Sequence, residues 1–197
     1  MAAVKAHDET LATRLVDVAA RILDEEGAAA LTLRRVATEA GTSTMAVYTL
    51  FGDKRGLLAA MHGEGFARLG QSMSTAAGAD SAEPLEALAA LGLAYRAAAQ
   101  ASPHLYGLMF GTAAPGFRPD AGGEAVADST FRPLVAAVQR AIDAGALLPA
   151  DAERIAFHLW AVSHGVVSLE LAGQVKGDPD TVYRDAMVHA IAPFLPR

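Results

Sequence analysis

The sequence predicts an all-α fold. Helix formers dominate its 197 residues, alanine above all, and no β-branched run alternates with period two. Apolar residues make up 52% of the chain, enough for a sizeable core and too many for gross disorder. Cysteine is absent, which excludes disulfides, thiolate metal sites and cysteine nucleophiles together and fits a reducing, cytoplasmic setting. The opening residues MAAVKAHDET meet acids and a histidine before any apolar run, unlike a secretory signal. The apolar stretch 155–169 is too short to span a bilayer, so a soluble protein without a membrane partner is expected. A formal charge of −6 argues against a generally basic nucleic-acid coat but leaves room for a local basic edge.

The elements follow in order. Leu11, Leu15, Val18, Ala19 and Ile22 share a face, predicting a first helix from about Thr10 to Glu26 with a left-handed stop at Gly27. Thr32 is placed to cap a short second helix, LRRVATEA, which ends at Gly41. Thr42 or Ser43 caps a third, reaching Phe51, and GDK interrupts the chain before Leu57 and Leu58 open a fourth. Residues 70–84, GQSMSTAAGADSAEP, are small and polar and predict a linker. A fifth helix starts near Pro84, with Leu85, Leu88, Gly92 and Tyr95 along one side. SPHLYGLMF begins a sixth, with Ser102 as cap and Pro103 in its first turn. The four glycines and two prolines of 111–125 predict a mobile loop. Three more helices are expected over about 130–144, 151–172 and 179–194, the last opened by the pair Asp178–Pro179.

The second and third helices are short and joined by a glycine turn, as in a helix-turn-helix. Val47, Leu50 and Phe51 fall on one face of the third and can bury against Val36 and Ala37. Met45 and Thr49 then project to the other side, with Thr44 and Tyr48 along one edge. Hydroxyl, thioether and phenol groups suit base edges and phosphate oxygens, and the Lys54 ammonium comes next, within reach of a DNA backbone. Taken alone, these residues also fit a solvated face over an ordinary core.

Their order adds to this. LTLRRVATEAGTSTMAVYTLFGDKRGLL resembles the N-terminal DNA-binding domain of the TetR family of transcriptional regulators. The matching features are a threonine opening the second helix, Ala-Gly before a small polar turn, then Tyr-x-x-Phe-x-x-Lys and a leucine pair. By position, the resemblance implies phosphate contacts from Thr32, Ser43, Tyr48 and Lys54, and base-side contacts from Thr44, Met45 and Thr49. Arg34 and Arg35 become backbone neighbours or plain surface charges. Met45 stands where many members have glycine, which leaves base preference open. Residues 1–62 hold seven Lys/Arg against eight Asp/Glu, so modest non-specific affinity and reliance on dimer avidity are expected. The resemblance divides the chain into a DNA-binding domain, 1–58, and an effector-binding and dimerisation domain, 59–197, with about nine helices in total.

In the back part, the expected eighth helix is apolar on two sides. Ile155, Leu159, Val162, Val166 and Leu169 form one stripe; Phe157, Trp160, His164 and Leu171 form another. A helix apolar all round is covered all round, either by its own domain and a second subunit or as the central helix of a monomer. The ninth offers Tyr183, Met187, Ala190 and Ile191, and the resemblance implies a homodimer through the eighth and ninth helices. WAVSHG and SPHLYGLMF further resemble a regulatory-domain type of this family named for its Trp, His and Gly. Tyr95, Tyr106, Met109, Phe110, Phe131, Val135, Trp160 and His164 are candidates to line a cavity for a small, largely hydrophobic effector, or to pack a core. Trp160 and His164, at i and i+4, have the strongest claim, although a structural histidine satisfies the same pattern.

No catalytic constellation is visible: HExxH, GxSxG, the Walker loop and GxGxxG are all missing, so neither enzyme activity nor a cofactor or metal is expected. His158 and His164 lie six apart and face different ways; Asp185 and His189, at i and i+4, read as a surface hydrogen bond. The expected function is a ligand-responsive dimeric repressor of a pseudo-palindromic DNA operator. The alternative is an all-α small-molecule carrier, or an enzyme whose site has no recognisable motif.

Overall fold

The computed structural model describes residues 2–78, 83–111, 114 and 116–197, and their side chains except those of 2–9, 77 and 78. The described residues form helices and no strand, as composition and periodicity predict. The helices are α1 (Ala2–Glu26), α2 (Leu33–Glu39), α3 (Thr44–Phe51), α4 (Lys54–Gly78), α5 (Pro84–Ala101), α6 (Pro103–Met109), α7 (Ala121–Asp143), α8 (Ala152–Leu171) and α9 (Pro179–Ile191), followed by a 3-10 turn, Ala192–Phe194. The chain divides into two compact units, Met1–Ala67 with Ser102–Ala127, and Arg68–Ala101 with Asp128–Arg197; α4 and α7 contribute residues to both.

Caps set most of the boundaries. Thr32 and Ser43 accept hydrogen bonds from the Arg35 and Ala46 amides at 3.2 and 3.1 Å. Asp151 and Asp178 do the same for α8 and α9; each such cap stabilises its helix by about 1 kcal/mol. Gly27 and Gly41 take φ of +78° and +67°, conformations that stop α1 and turn the chain between α2 and α3 at little steric cost.

Three boundaries are corrected. The first helix, expected from about Thr10, begins at Ala2. Most of the segment 70–84 is not a linker, because α4 runs through to Gly78; residues 79–82 lie outside those described. Buried Met73 anchors this stretch, and tertiary packing outweighs the weak local propensity of its serines and glycines. The loop predicted over 111–125 ends early, at Ala121. Asp120 caps α7 by accepting from the Gly123 amide at 2.9 Å, which draws the glycines into the first turn; 112, 113 and 115 are outside the described residues.

In the first unit, Leu15, Ala19, Ile22 and Leu23 of α1 meet Val36 and Ala37 of α2, Val47 of α3, Leu57 and Met61 of α4 and Leu105 and Leu108 of α6. Ser102 precedes α6 but makes no side-chain cap bond. Asp24 of α1 replaces it, accepting from the His104 and Leu105 amides at 2.8 and 3.3 Å. In the second unit the core is Leu88, Leu91 and Tyr95 of α5, Leu134 and Val138 of α7, Ile155, Leu159 and Val167 of α8, and Tyr183 and Ala190 of α9. Among the described residues, no helix is long and apolar enough to cross a membrane.

Candidate functional site

Helix α3 uses its two sides differently. Val47 is fully buried, and Leu50 and Phe51 are half-buried against the core of the first unit. On the opposite side Met45 is 72% and Tyr48 50% exposed, with Thr49 beside them in solvent and Thr44 half-buried. The Thr49 hydroxyl donates to the Met45 carbonyl at 2.9 Å, so its oxygen is still free to accept. A protruding thioether and phenol on an eight-residue helix have no packing purpose within the unit.

The joint between α3 and α4 is held tightly. Asp53 accepts from the Gly56 amide at 2.8 Å, starting α4 immediately after the Gly52 turn. A Cβ at Gly56 would lie 1.8 Å from the Phe51 carbonyl oxygen, so only glycine fits this crossing. Lys54 is thereby fixed at the helix start, where its ammonium donates to the Ala28 carbonyl at 3.2 Å and keeps further donors for another acceptor.

Charge around this surface is sorted by pairing. Arg35 clamps Glu26 with two donors, one of them at 2.7 Å, and reaches Glu39 at 2.7 Å, while Arg21 binds the other Glu39 oxygen at 2.6 Å. Hydrogen bonds from Arg35 hold the Glu26 and Glu39 carboxyls below the usual carboxylate range. Arg35, read from the sequence as a backbone neighbour or a surface charge, thus serves an α1–α2 ion-pair network. Arg34, exposed at the start of α2, forms no ion pair with any described residue. Acids that outnumber bases in this segment are therefore partly neutralised where they stand.

The second unit contains a cavity of about 650 Å³. Leu88, Gly92 and Tyr95 of α5, Leu159 and Trp160 of α8, and Tyr183, Met187 and Ile191 of α9 line it, with Met73, Leu134, Asp180 and Arg184 among the remaining walls. Its buried polar groups are paired with one another. The Tyr183 hydroxyl donates to the Gly92 carbonyl at 2.7 Å and so accepts from Ser163 at 2.8 Å. Arg96 grips Glu170 bidentately at 2.7 and 2.8 Å, binds Asp180 at 2.8 Å and lies over the Tyr183 ring. Burial raises the Tyr183 phenol's pKa, and Arg96 keeps the Glu170 carboxyl low.

The eight residues singled out as ligand candidates do not converge on this cavity. Tyr95 and Trp160 line it. His164 meets the Tyr95 hydroxyl through Nδ1 at 3.0 Å and stacks obliquely on Trp160, which also meets the Phe131 ring. Burial pushes the His164 imidazole's pKa down, favouring its neutral form. Val135 is half-buried on α7 and outside the lining. Tyr106, Met109 and Phe110 belong to the first unit, in and just after α6, where Phe110 packs between Tyr106 and Phe66. Nearby, His62 is buried among Phe66 and Phe117, its Nδ1 without a hydrogen bond among the described residues, and this desolvation lowers its pKa.

Tyr183, Met187, Ala190 and Ile191, expected on a partner-facing surface, turn inward instead: Tyr183 and Ala190 are buried, and Met187 and Ile191 line the cavity. Sequence reasoning missed Arg96, Ser163, Asp180 and Arg184. A lone arginine in the otherwise apolar run LAALGLAYRAAA was the available signal. No group of three or more potential metal ligands occurs among the described residues.

Comparison with known proteins agrees with both halves. Residues 15–61 match the family model for bacterial regulatory proteins of the tetR family, and residues 88–191 match a Tetracyclin repressor-like C-terminal domain. A protein of unknown function from Rhodococcus sp. RHA1 is 30% identical, with 94% of this chain and 96% of that one covered and a TM-score of 0.83. The TetR family regulator PfmR from Thermus thermophilus shares the fold at 20% identity, over 93% and 100% of the two chains, with a TM-score of 0.65. SmeT in complex with triclosan does so at 22% identity, over 95% and 92%, with a TM-score of 0.66. A search of curated proteins found no match.

Proposed function

As this chain belongs to the TetR family of bacterial regulatory proteins, we propose that it is a dimeric transcriptional repressor, released from a pseudo-palindromic operator when a small, largely hydrophobic effector fills the cavity of its second unit. The observation that carries this reading is the outward display of Met45, Tyr48 and Thr49 over a buried Val47. In the major groove, Met45, Thr44 and Thr49 meet base edges. Thr32, Ser43, Tyr48, Lys54 and Arg34 hold phosphates and fix the register. A thioether offers apolar contact to a thymine methyl and no bidentate bond, so specificity is shared among weak contacts and depends on two heads acting together.

Residues 1–58 act as the DNA-binding part and 59–197 as the effector-binding and dimerisation part. The dimer is supported by α8, which leaves Phe157 at 57% and Leu169 at 49% exposure. Exposed apolar groups of that size are what a partner helix pair covers. A triclosan complex of the fold neighbour SmeT supports a compact apolar effector, as do the apolar walls here. By linkage, the effector frees DNA only as far as it binds the released conformer better than the bound one.

The test is a mobility-shift titration of the full-length protein on the fragment upstream of its own gene, at about 100 mM salt, against a scrambled duplex of equal length. A specific complex dissolved by an apolar ligand is expected. Failure to discriminate any genomic fragment from random DNA, for a folded dimer, would instead favour a small-molecule carrier.

A further inference from the structure

We propose that the effector is an amphiphilic carboxylate, with its apolar body in the cavity and its acid group on Arg184. This deepens the effector reading above and rests on it. The buried polar side chains of the cavity are already engaged. Tyr183 and Ser163 satisfy each other and the Gly92 carbonyl. Arg96, 7% exposed, is saturated by Glu170 and Asp180. A ligand with polar groups along its body would leave them unpaired there, at a cost that excludes it.

Arg184 differs from Arg96. It lines the cavity one turn beyond Asp180 on α9, is exposed, and its side chain makes no hydrogen bond or ion pair with any described residue. Two of the neighbouring acids on α9 and its cap are committed, and the third, Asp185, is exposed next to Arg184 but outside the cavity lining. Asp178 accepts from the Thr181 amide and hydroxyl at 2.9 and 2.6 Å, and Arg184 is the least of the influences that lower its pKa. Asp180 and Glu170 belong to Arg96. The one charge on the lining without an ion pair among the described residues is therefore positive. A guanidinium fork matches a carboxylate in shape and number of donors. Met187 and Ile191 come after Arg184 along the same side of α9, so an acid held there has an apolar track for its chain.

Trp160 lines the cavity and is the protein's single tryptophan, so its fluorescence reports occupancy directly. The experiment titrates the full-length dimer with decanoic acid, methyl decanoate and decylamine, below their aggregation limits, by Trp160 fluorescence and by calorimetry. The acid is expected to bind at least about tenfold more tightly than the ester or the amine. Arg184→Gln is expected to erase that preference while leaving ester binding unchanged, and Arg184→Lys to restore part of it. Equal affinity for acid and ester, no binding by any of the three, or an acid preference that survives Arg184→Gln would overturn the proposal. DNA binding is followed separately by mobility shift on the same preparations. A specific operator complex released by a neutral apolar ligand would leave the repressor reading standing while this inference falls.

Discussion

Buried Val47 and exposed Tyr48 are adjacent in sequence and opposite in fate, and this contrast decides what α3 does. Their sorting was legible in the sequence because a 3.6-residue period separates the two faces of a helix this short. The capping roles of Thr32 and Ser43 were legible too, since a hydroxyl before an apolar run has few other uses. Partnerships across the chain were not. Nothing local says that Arg35 goes to Glu26, or that Asp24 rather than Ser102 caps α6. Two histidines give a prediction at this scale. His62 and His164 both have pKa values lowered by burial from 6.5, so below that value the unfolded chain binds more protons than the folded one. Stability therefore rises with pH across the window beneath 6.5 and is lost as pH falls through it. Thermal melts at about pH 7.5 and about pH 5.5, on either side of that value, are expected to show a lower midpoint in acid, with the difference reduced in His164→Asn. The same difference in the variant would remove His164 from the explanation.

At the scale of elements, the helix order was readable throughout, whereas the starts of α1 and α7 and the end of α4 moved. α4 continues through small residues because Met73 is buried, and α7 starts early because Asp120 caps a glycine turn. In both cases a contact or cap outweighs composition, which is why a run of glycine and serine predicts a loop and becomes a helix. The α3–α4 junction is the least tolerant joint. Gly56→Ala would place a Cβ against the Phe51 carbonyl, an overlap that backbone movement alone can relieve. We expect it to lower stability by about 3 kcal/mol or more, and to abolish operator binding at temperatures where the second unit still melts normally. A wild-type denaturation curve for this variant would show that α4 can shift freely at its start.

At the scale of the whole molecule, the sequence named few walls of the cavity in the second unit. Aromatic content pointed to the α6 region, whose Tyr106 and Phe110 serve the first unit, while the cavity draws on α5 and α9. On α9 periodicity gathers Tyr183, Met187, Ala190 and Ile191 on one face, but does not say whether that face meets its own unit or a partner. The proposed dimer rests on the surface of α8 that remains exposed. Phe157→Asp is expected to shift sedimentation from dimer to monomer and to weaken operator binding by more than about tenfold through lost avidity. Unchanged sedimentation would move the interface elsewhere.

Contact between the outer side of α3 and DNA is tested most directly by fluorescence anisotropy on the selected operator, across a range of salt, with the wild-type protein, Tyr48→Ala and Lys54→Ala. All three proteins are expected to fold normally, with affinity reduced by about 1–3 kcal/mol in both variants and a salt slope about one unit shallower for Lys54→Ala. Full affinity and an unchanged slope in both variants would contradict a DNA-facing α3.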